Sequence, residues 1–545
     1  MICRATMCGM TRAHLSSRRW IQLRQDLYEQ VQSHVQALSG EKGSSLSVYQ
    51  KEYEKEFRRS WKVSSRQSLI QAVEKAQVIW MGDFHALQQS QKAQLRVLKS
   101  LPQARNLLLG VECVEARHQE ILDRYSQGKI SEREFLKAIE WKRNWGFPWE
   151  YYRPLFRWAI KNKVRIFALN QRTEKRSVRS LRDRDQVAGR LIVDILKNFP
   201  QHRLFVIFGD LHLADSHLPR VVRAKCKSVR SLTIFQNSER IYFRLLKKEI
   251  EHQVDVVQLS KEKFCLLNVP PWVKWQNYLL YLESHYDKSF DDDLDFTDYV
   301  AKYVKLIADD LGVHVPTDHF SIVSANDRGA WGRIQKILSD KELQTVQSWI
   351  EDGRSFFIPR SGMGYLGRAS VNSAAQLAMS IVSVHLSGQK QIPSKLPKDF
   401  VKMIWMEAVQ YFGTKLINPK RKTDTLNDIK ATLSARNPLD QGKEAMQLAL
   451  SQKMLELLHL SQSRKEKELL RPRSRKAYLE AARILGGMMG EKLYFAYRRK
   501  LLSKSSALAL FRKSIDIEDF SNVYWEILEI VENFPEPFQS KTEKM

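Results

Sequence analysis

Cysteine is scarce in this chain of 545 residues: Cys3, Cys8, Cys113, Cys226 and Cys265 are all it has. They are scattered and odd in number, with no C-x-x-C pair. A disulfide framework is therefore not expected, and a reducing compartment is. Long apolar runs are also missing, and no stretch approaches the roughly 20 residues that span a bilayer. The opening segment, MICRATMCGMTRAHLSSRRW, holds basic groups but no continuous apolar core of the kind a secretory signal needs. A cytoplasmic setting is the expectation. Negative charge is in short supply: 61 acidic against 89 basic residues leaves a net +28. Such an excess favours anionic surroundings. No helix-turn-helix, RRM or zinc-finger pattern accompanies it, so nucleic acid is not the expected partner.

Apolar residues make up 43% of the chain, which is globular rather than disordered, and the length calls for more than one core. Residues 1–75 read as a charged, helix-rich N-terminal extension. From about 76 to 285 the pattern changes. Short runs rich in Val, Ile, Leu and Phe (VIWM, NLLLGVE, VRIFAL, LFVIF, SLTIF) alternate with amphipathic stretches. Continuous apolar strands between helices predict an α/β domain, a mostly parallel sheet with helices on both faces. After Phe235 the pieces IYFRLL, VDVVQL and FCLLNV read as antiparallel strands closing one edge. The acidic run Asp291–Asp298 marks a boundary; it lacks the glycine and distal glutamate of a calcium loop. Residues 290–545 read as a mainly α-helical C-terminal domain. Its basic stretch Ser463–Lys476 reads as a solvated face. Gly362, Gly364 and Gly367 match G-x-G-x-x-G, but no acidic residue follows about 20 positions on, so a glycine-rich loop before a helix suffices.

The chemistry-bearing residues gather at strand ends. In an open parallel sheet, ligands bind beyond the carboxyl ends of the strands. Asp83 and His85 follow the first strand, Glu112 closes the second, Asn170 closes the third, and Asp210 and His212 follow the fourth. Gly-Asp-x-His occurs twice, GDFH and GDLH, and the glycine before each aspartate is read as permitting a sharp turn. Two histidines and a carboxylate are a divalent-metal set. They are also a general-base set in which carboxylates orient the imidazoles. Sequence leaves both open.

Gly-x-x-His after one strand, Glu after the next and Gly-x-x-His after a later one resembles the superfamily that joins ChaN-like haem-binding uptake proteins, Tiki metalloproteases and erythromycin esterases. WGFPWEYYRPLFRWAIKNKVRIFALN is similar to the ChaN-like branch, and LRDRDQVAGRLIVDIL resembles its following Arg-Asp helix. The resemblance spans about residues 77–223. It departs at Asp83, where these families usually carry glutamate. Members are often exported or membrane-anchored. The resemblance implies a ligand-binding protein holding haem or an iron or other divalent metal ligand at the strand edge. Trp149, Tyr152, Asn170, Arg184 and Asp210 would then contact the ligand, and Arg153 and Arg184 would pair with propionates. The alternative it implies is a metal-dependent hydrolase acting on a small molecule or peptide, with His85, Glu112 and His212 as metal ligands and Asp83 or Glu112 as base.

Overall fold

The computed structural model describes residues 4–39, 47–101, 106–171, 177–286, 296–324, 327, 329–434, 442–461 and 474–537. Asp291–Asp295 of the acidic run and Ser463–Arg473 of the basic stretch lie outside the described residues. The chain divides into two compact units, 1–286 and 287–544.

The first unit is built on an eight-stranded sheet. Its strands are β1 (Lys62–Ser64), β2 (Val78–Asp83), β3 (Leu107–Glu115), β4 (Arg165–Asn170), β5 (Arg203–Gly209), β6 (Ser231–Gln236), β7 (Val256–Ser260) and β8 (Lys263–Leu266). The order across the sheet is β1-β7-β8-β6-β2-β5-β3-β4, antiparallel only at β1–β7 and β7–β8. β2 shows why the sheet is covered on both sides. Ile79 and Met81 enter one core with Phe205 and Ile207, while Val78 and Trp80 enter the other with Leu204 and Phe208. Successive side chains of a strand point to opposite faces, so an unbroken apolar run fills two cores at once. Each fully buried aliphatic or aromatic side chain there contributes about 1.5–3 kcal/mol.

Two readings of this unit need correction. IYFRLL is not a strand: it belongs to the helix Glu239–Lys247, which buries Ile241, Tyr242, Leu245 and Leu246. That spacing is a helical stripe, and β1, β7 and β8 make the antiparallel edge. Nor does β3 stop at Glu112. It continues to Glu115, with a register shift against β4 between Val111 and Glu115.

In the second unit, the helices Phe400–Ile417 and Arg475–Arg498 pack lengthwise against each other. A side chain at Gly486 or Gly490 would collide with the first of these helices, so small residues let the two backbones approach. The unit also holds a three-stranded sheet, β9 (Ser321–Ser324), β10 (Phe356–Ile358) and β11 (Met363–Leu366), in the order β10-β11-β9. The glycine-rich string is thus a hairpin rather than a loop. Gly362 supplies the positive φ (64°) of its turn, and Gly364 lies in β11 against Ile322 and Leu377. Among the described residues no helix is long and apolar enough to cross a membrane.

Candidate functional site

Sheet topology brings the polar strand ends together. β2 and β5 are adjacent and parallel, with Asp83 opposite Gly209, and β3 lies on the far side of β5. Glu112 therefore comes up beside Gly209, whose backbone N–H donates to Glu112 Oε2 (2.6 Å). Arg184, from the helix Val178–Asn198, pairs with Glu112 Oε1 and donates from Nε to Asn170 Oδ1 (3.2 Å).

Both imidazoles face this carboxylate. His85 Nε2 lies 3.8 Å from Glu112 Oε2, and His212 Nε2 lies 4.0 Å from Oε1. Each Nδ1 is held by an aspartate, His85 by Asp83 (2.8 Å) and His212 by Asp185 (2.7 Å). The site thus runs Asp83–His85, Glu112, His212–Asp185, with an arginine on the central member. His85 is the more open imidazole, with 24% of its side chain exposed against 6% for His212. Its ring is walled by Trp145 (4.5 Å) and Phe147 (5.1 Å).

Each aspartate is itself fixed. Asp83 accepts from Gln91 (2.6 Å), Gln94 (2.8 Å) and the Tyr152 hydroxyl (2.9 Å). Asp185 accepts from the Tyr49 hydroxyl (2.7 Å), which also lies 2.9 Å from His212 Nδ1. Tyr49 stacks on His217, whose Nε2 meets Glu52 (2.8 Å). The helix Ser47–Lys55 thus closes the back of the second motif.

The two Gly-Asp-x-His copies are not equivalent. Asp83 turns to its own histidine. Asp210 turns away from His212, pairing with the Tyr53 hydroxyl and accepting from the Gln236 backbone N–H (3.1 Å). The glycines also serve another purpose than the sharp turn expected of them, since neither has positive φ. A Cβ at Gly82 would overlap Asp210 Oδ1. One at Gly209 would sit 3.3 Å from Glu112 Oε2 and 3.4 Å from His85 Nε2. Both positions are glycine because carboxylates and imidazoles occupy the space.

The remaining residues divide. Tyr152 and Asn170 reach the network through Asp83 and Arg184. Trp149 does not reach it; its ring packs on Trp141 (5.0 Å) and Phe156 (4.9 Å) in the core. Arg184 is engaged by Glu112 and Asn170, and Arg153 by Glu132 (2.8 Å), so neither is left for a propionate. Tyr49, Gln91, Gln94 and Asp185 are members that sequence reasoning missed. Asp185 had a signal: it shares a buried helical stripe with Leu181, Ala188 and Ile192, and a carboxylate on an apolar stripe needs a partner.

Burial and neighbouring charges set the protonation states. Burial opposes charge on His85, but the Asp83 and Glu112 carboxylates win and raise its pKa. Burial pushes His212 down to about 3, which keeps its imidazole neutral at neutral pH, and pushes Asp185 up to about 7. Burial would raise Glu112, but Arg184, then His85 and His212, hold it below the usual carboxylate range.

Asp210 is pushed up to about 7 by burial, from an ordinary 3.8. A carboxyl with a raised folded pKa costs stability as pH climbs through the window from 3.8 to about 7. Asp210→Asn keeps an acceptor for Tyr53 and Gln236. The variant is expected to match the parent near pH 4 and to be the more stable protein at pH 8, by up to about 4 kcal/mol. Urea unfolding at the two pH values measures this. A variant less stable at both would show that the ionised carboxylate is the favoured form.

Among the described residues, no group of three or more His, Cys, Asp or Glu side chains has the arrangement of a metal site. The set His85, Glu112 and His212 does not fit one, because Glu112 is already neutralised by Arg184.

Residues 69–184 match the model of a family described as haem-binding uptake, Tiki superfamily, ChaN. The match takes in Asp83, His85, Glu112 and Arg184, and stops short of Asp185 and His212. A solved structure titled cofacial heme binding to ChaN of Campylobacter jejuni is 15% identical, covering 32% of this chain and 87% of that one with a TM-score of 0.25. No curated protein matches the chain. The likeness carried by the first Gly-Asp-x-His string and the segment that follows it is therefore to the haem-binding uptake (ChaN) family of the Tiki superfamily, over residues 69–184.

Proposed function

We propose that the first unit binds haem or a related iron compound at the rim formed by β2, β3 and β5, with His85 as the residue facing the ligand. The observation that carries this reading is the His85 imidazole. Asp83 fixes its Nδ1, no hydrogen-bond donor occupies its Nε2 among the described residues, and Trp145 and Phe147 wall its ring. An imidazole held through one nitrogen presents the other as a ligand, and aromatic walls suit a flat macrocycle. The matched family's description supports the same class of ligand. Bound iron would supply the redox or ligand-exchange chemistry; this chain's residues hold and shield it. The hollow beside the rim, lined by Glu115, His118, Trp141, Asn144, Trp145 and Asn170 among others, has only about 10 Å³ of free volume. The ligand in this reading therefore lies across the mouth and not inside. Binding requires the neutral imidazole, so the raised pKa of His85 makes affinity fall as pH drops through it.

A second reading, hydrolysis, is favoured by one observation: two aspartate-held imidazoles aimed at a single carboxylate. His85 would then act as general base, oriented by Asp83. No step is assigned to a metal.

Titrating the full chain with haemin separates the two. A Soret band that saturates at one equivalent and is lost in His85→Ala is the expected result. If haemin binds the parent and the variant alike, His85 is not the ligand. If it binds neither, while ester substrates are turned over by the parent alone, the hydrolytic reading replaces the first.

A further inference from the structure

The second unit contains a polar cleft that the rim chemistry does not use. It is lined by Gln376, Glu407, Tyr411, Arg421, Lys422, Thr423, Asp424 and Arg483, and has about 50 Å³ of free volume. Its floor is the loop that follows the helix Phe400–Ile417. That loop is held rigidly from below. Buried Lys415 donates to the carbonyls of Pro419 and Arg421 (both 2.7 Å) and pairs with Glu491 (2.9 Å). Asn418 accepts from the Lys420 backbone N–H (3.2 Å), and Thr425 closes the loop in a capping box with Asp428. Gly487 carries no side chain where Thr423 packs; a Cβ there would overlap the threonine hydroxyl.

Arg421 is the exceptional group. It is partly buried and lies over the Tyr411 ring (4.7 Å), and its guanidinium donates to Thr414 Oγ1 (2.8 Å). Burial lowers its pKa, yet it makes no ion pair with any carboxylate among the described residues. The other charges at the cleft are mostly engaged. Glu407 pairs with Arg354 (2.9 Å), and Arg483 with Glu480 (2.9 Å from Nε). Glu407 and Glu491 act on it only at longer range; a desolvated guanidinium with no carboxylate in contact is costly, and its fork of donors matches an oxyanion. The lining carries three cations against two carboxylates; Glu407 and Arg483 are each paired outside it, which leaves an excess of one cation, so an anion is the ligand its charge suits.

We propose that this cleft binds the phosphate or carboxylate group of a small molecule, with Arg421 as the principal contact and Lys422 and the Thr423 hydroxyl beside it. The proposal is independent of the haem reading.

The test uses the full chain, with inorganic phosphate and acetate as probes against chloride at matched ionic strength. Thermal unfolding and isothermal titration are the readouts. Phosphate or acetate should raise the Tm of the parent saturably, where chloride does not. The more effective of the two identifies which group the site takes. Arg421→Gln should weaken that binding at least about tenfold, the scale of one lost charge-assisted bidentate contact. If Arg421→Gln does not fold, Lys422→Gln decides, with a smaller loss of affinity expected. No saturable response of the parent to either anion, or unchanged affinity in the folded variants, overturns the proposal.

Discussion

Glu112→Gln is expected to lower the stability of the protein by about 3 kcal/mol and to weaken ligand binding at the rim at least about tenfold. The carboxylate is almost wholly buried, at 3% exposure, and it balances a guanidinium that is itself only 18% exposed. Removing one partner of a buried pair strands the other charge, which costs far more than a surface ion pair is worth. Glutamine keeps an acceptor for one donor only. Its amide group would face either the Gly209 N–H or Arg184, both of them donors. The pH dependence has a definite sign. The folded pKa of Glu112 is depressed below its ordinary 4.5. The stability it contributes is therefore present above about pH 4.5 and is lost as pH falls through the lower folded value. The variant should lack that part of the acid transition. Chemical unfolding between pH 3 and 8, with haemin titrations at pH 7, provides the measurement. Adding Arg184→Met should restore part of the lost stability, because the stranded charge is gone. A folded Glu112→Gln protein with unchanged Tm and unchanged haemin affinity would remove the carboxylate from the centre of the site.

Deleting residues 1–60 is expected to leave the first unit unable to fold, although all of these residues precede the segment that resembles a known family. Tyr49 and Tyr53 lie one turn apart on the helix Ser47–Lys55, Phe57 follows in the turn after it, and all three are buried, the last two edge-on to Phe235 (5.8 and 5.2 Å). Each such aromatic contributes about 1.5–3 kcal/mol on burial. The deletion also removes one hydrogen-bond partner from each of Asp185, Asp210 and His217, at about 1–3 kcal/mol apiece. The sum rivals the whole stability of a typical domain, roughly 5–15 kcal/mol. Soluble yield and the circular dichroism of the truncated chain measure this. Tyr49→Phe is the mild counterpart. It keeps the ring on His217, removes the hydroxyl between Asp185 and His212, and should cost about 1–3 kcal/mol. A truncated chain that folds with an unchanged Tm would make the N-terminal helices an appendage.

The sequence by itself determined the layered α/β architecture of the first unit, because unbroken apolar runs such as VIWM and LFVIF can satisfy both faces only in a covered parallel sheet. It also determined that His85, Glu112 and His212 end on one rim, since residues at the carboxyl ends of parallel strands must emerge on the same edge. Two features of the site were weakly legible. Asp185, a charge on a helix's apolar stripe, and Tyr49, Tyr53 and Phe57, aromatics spaced four apart, left a signal that was passed over. Tertiary structure alone decided the rest. The insertion of β5 between β2 and β3 set Gly209 against Glu112, a long-range pairing that no local pattern encodes. It decided that identical Gly-Asp-x-His strings do different work: Tyr53, brought from the N-terminal helix, draws Asp210 away, and Asp185, from another helix, replaces it beside His212. It also decided that Arg184 is spent on Glu112, while Trp145 and Phe147, not Trp149, flank His85. Sequence periodicity says which face a side chain leaves from. Which partner it meets there depends on elements far off in the chain, 165 residues away in the case of Glu52 and His217, and only the packed chain brings those together.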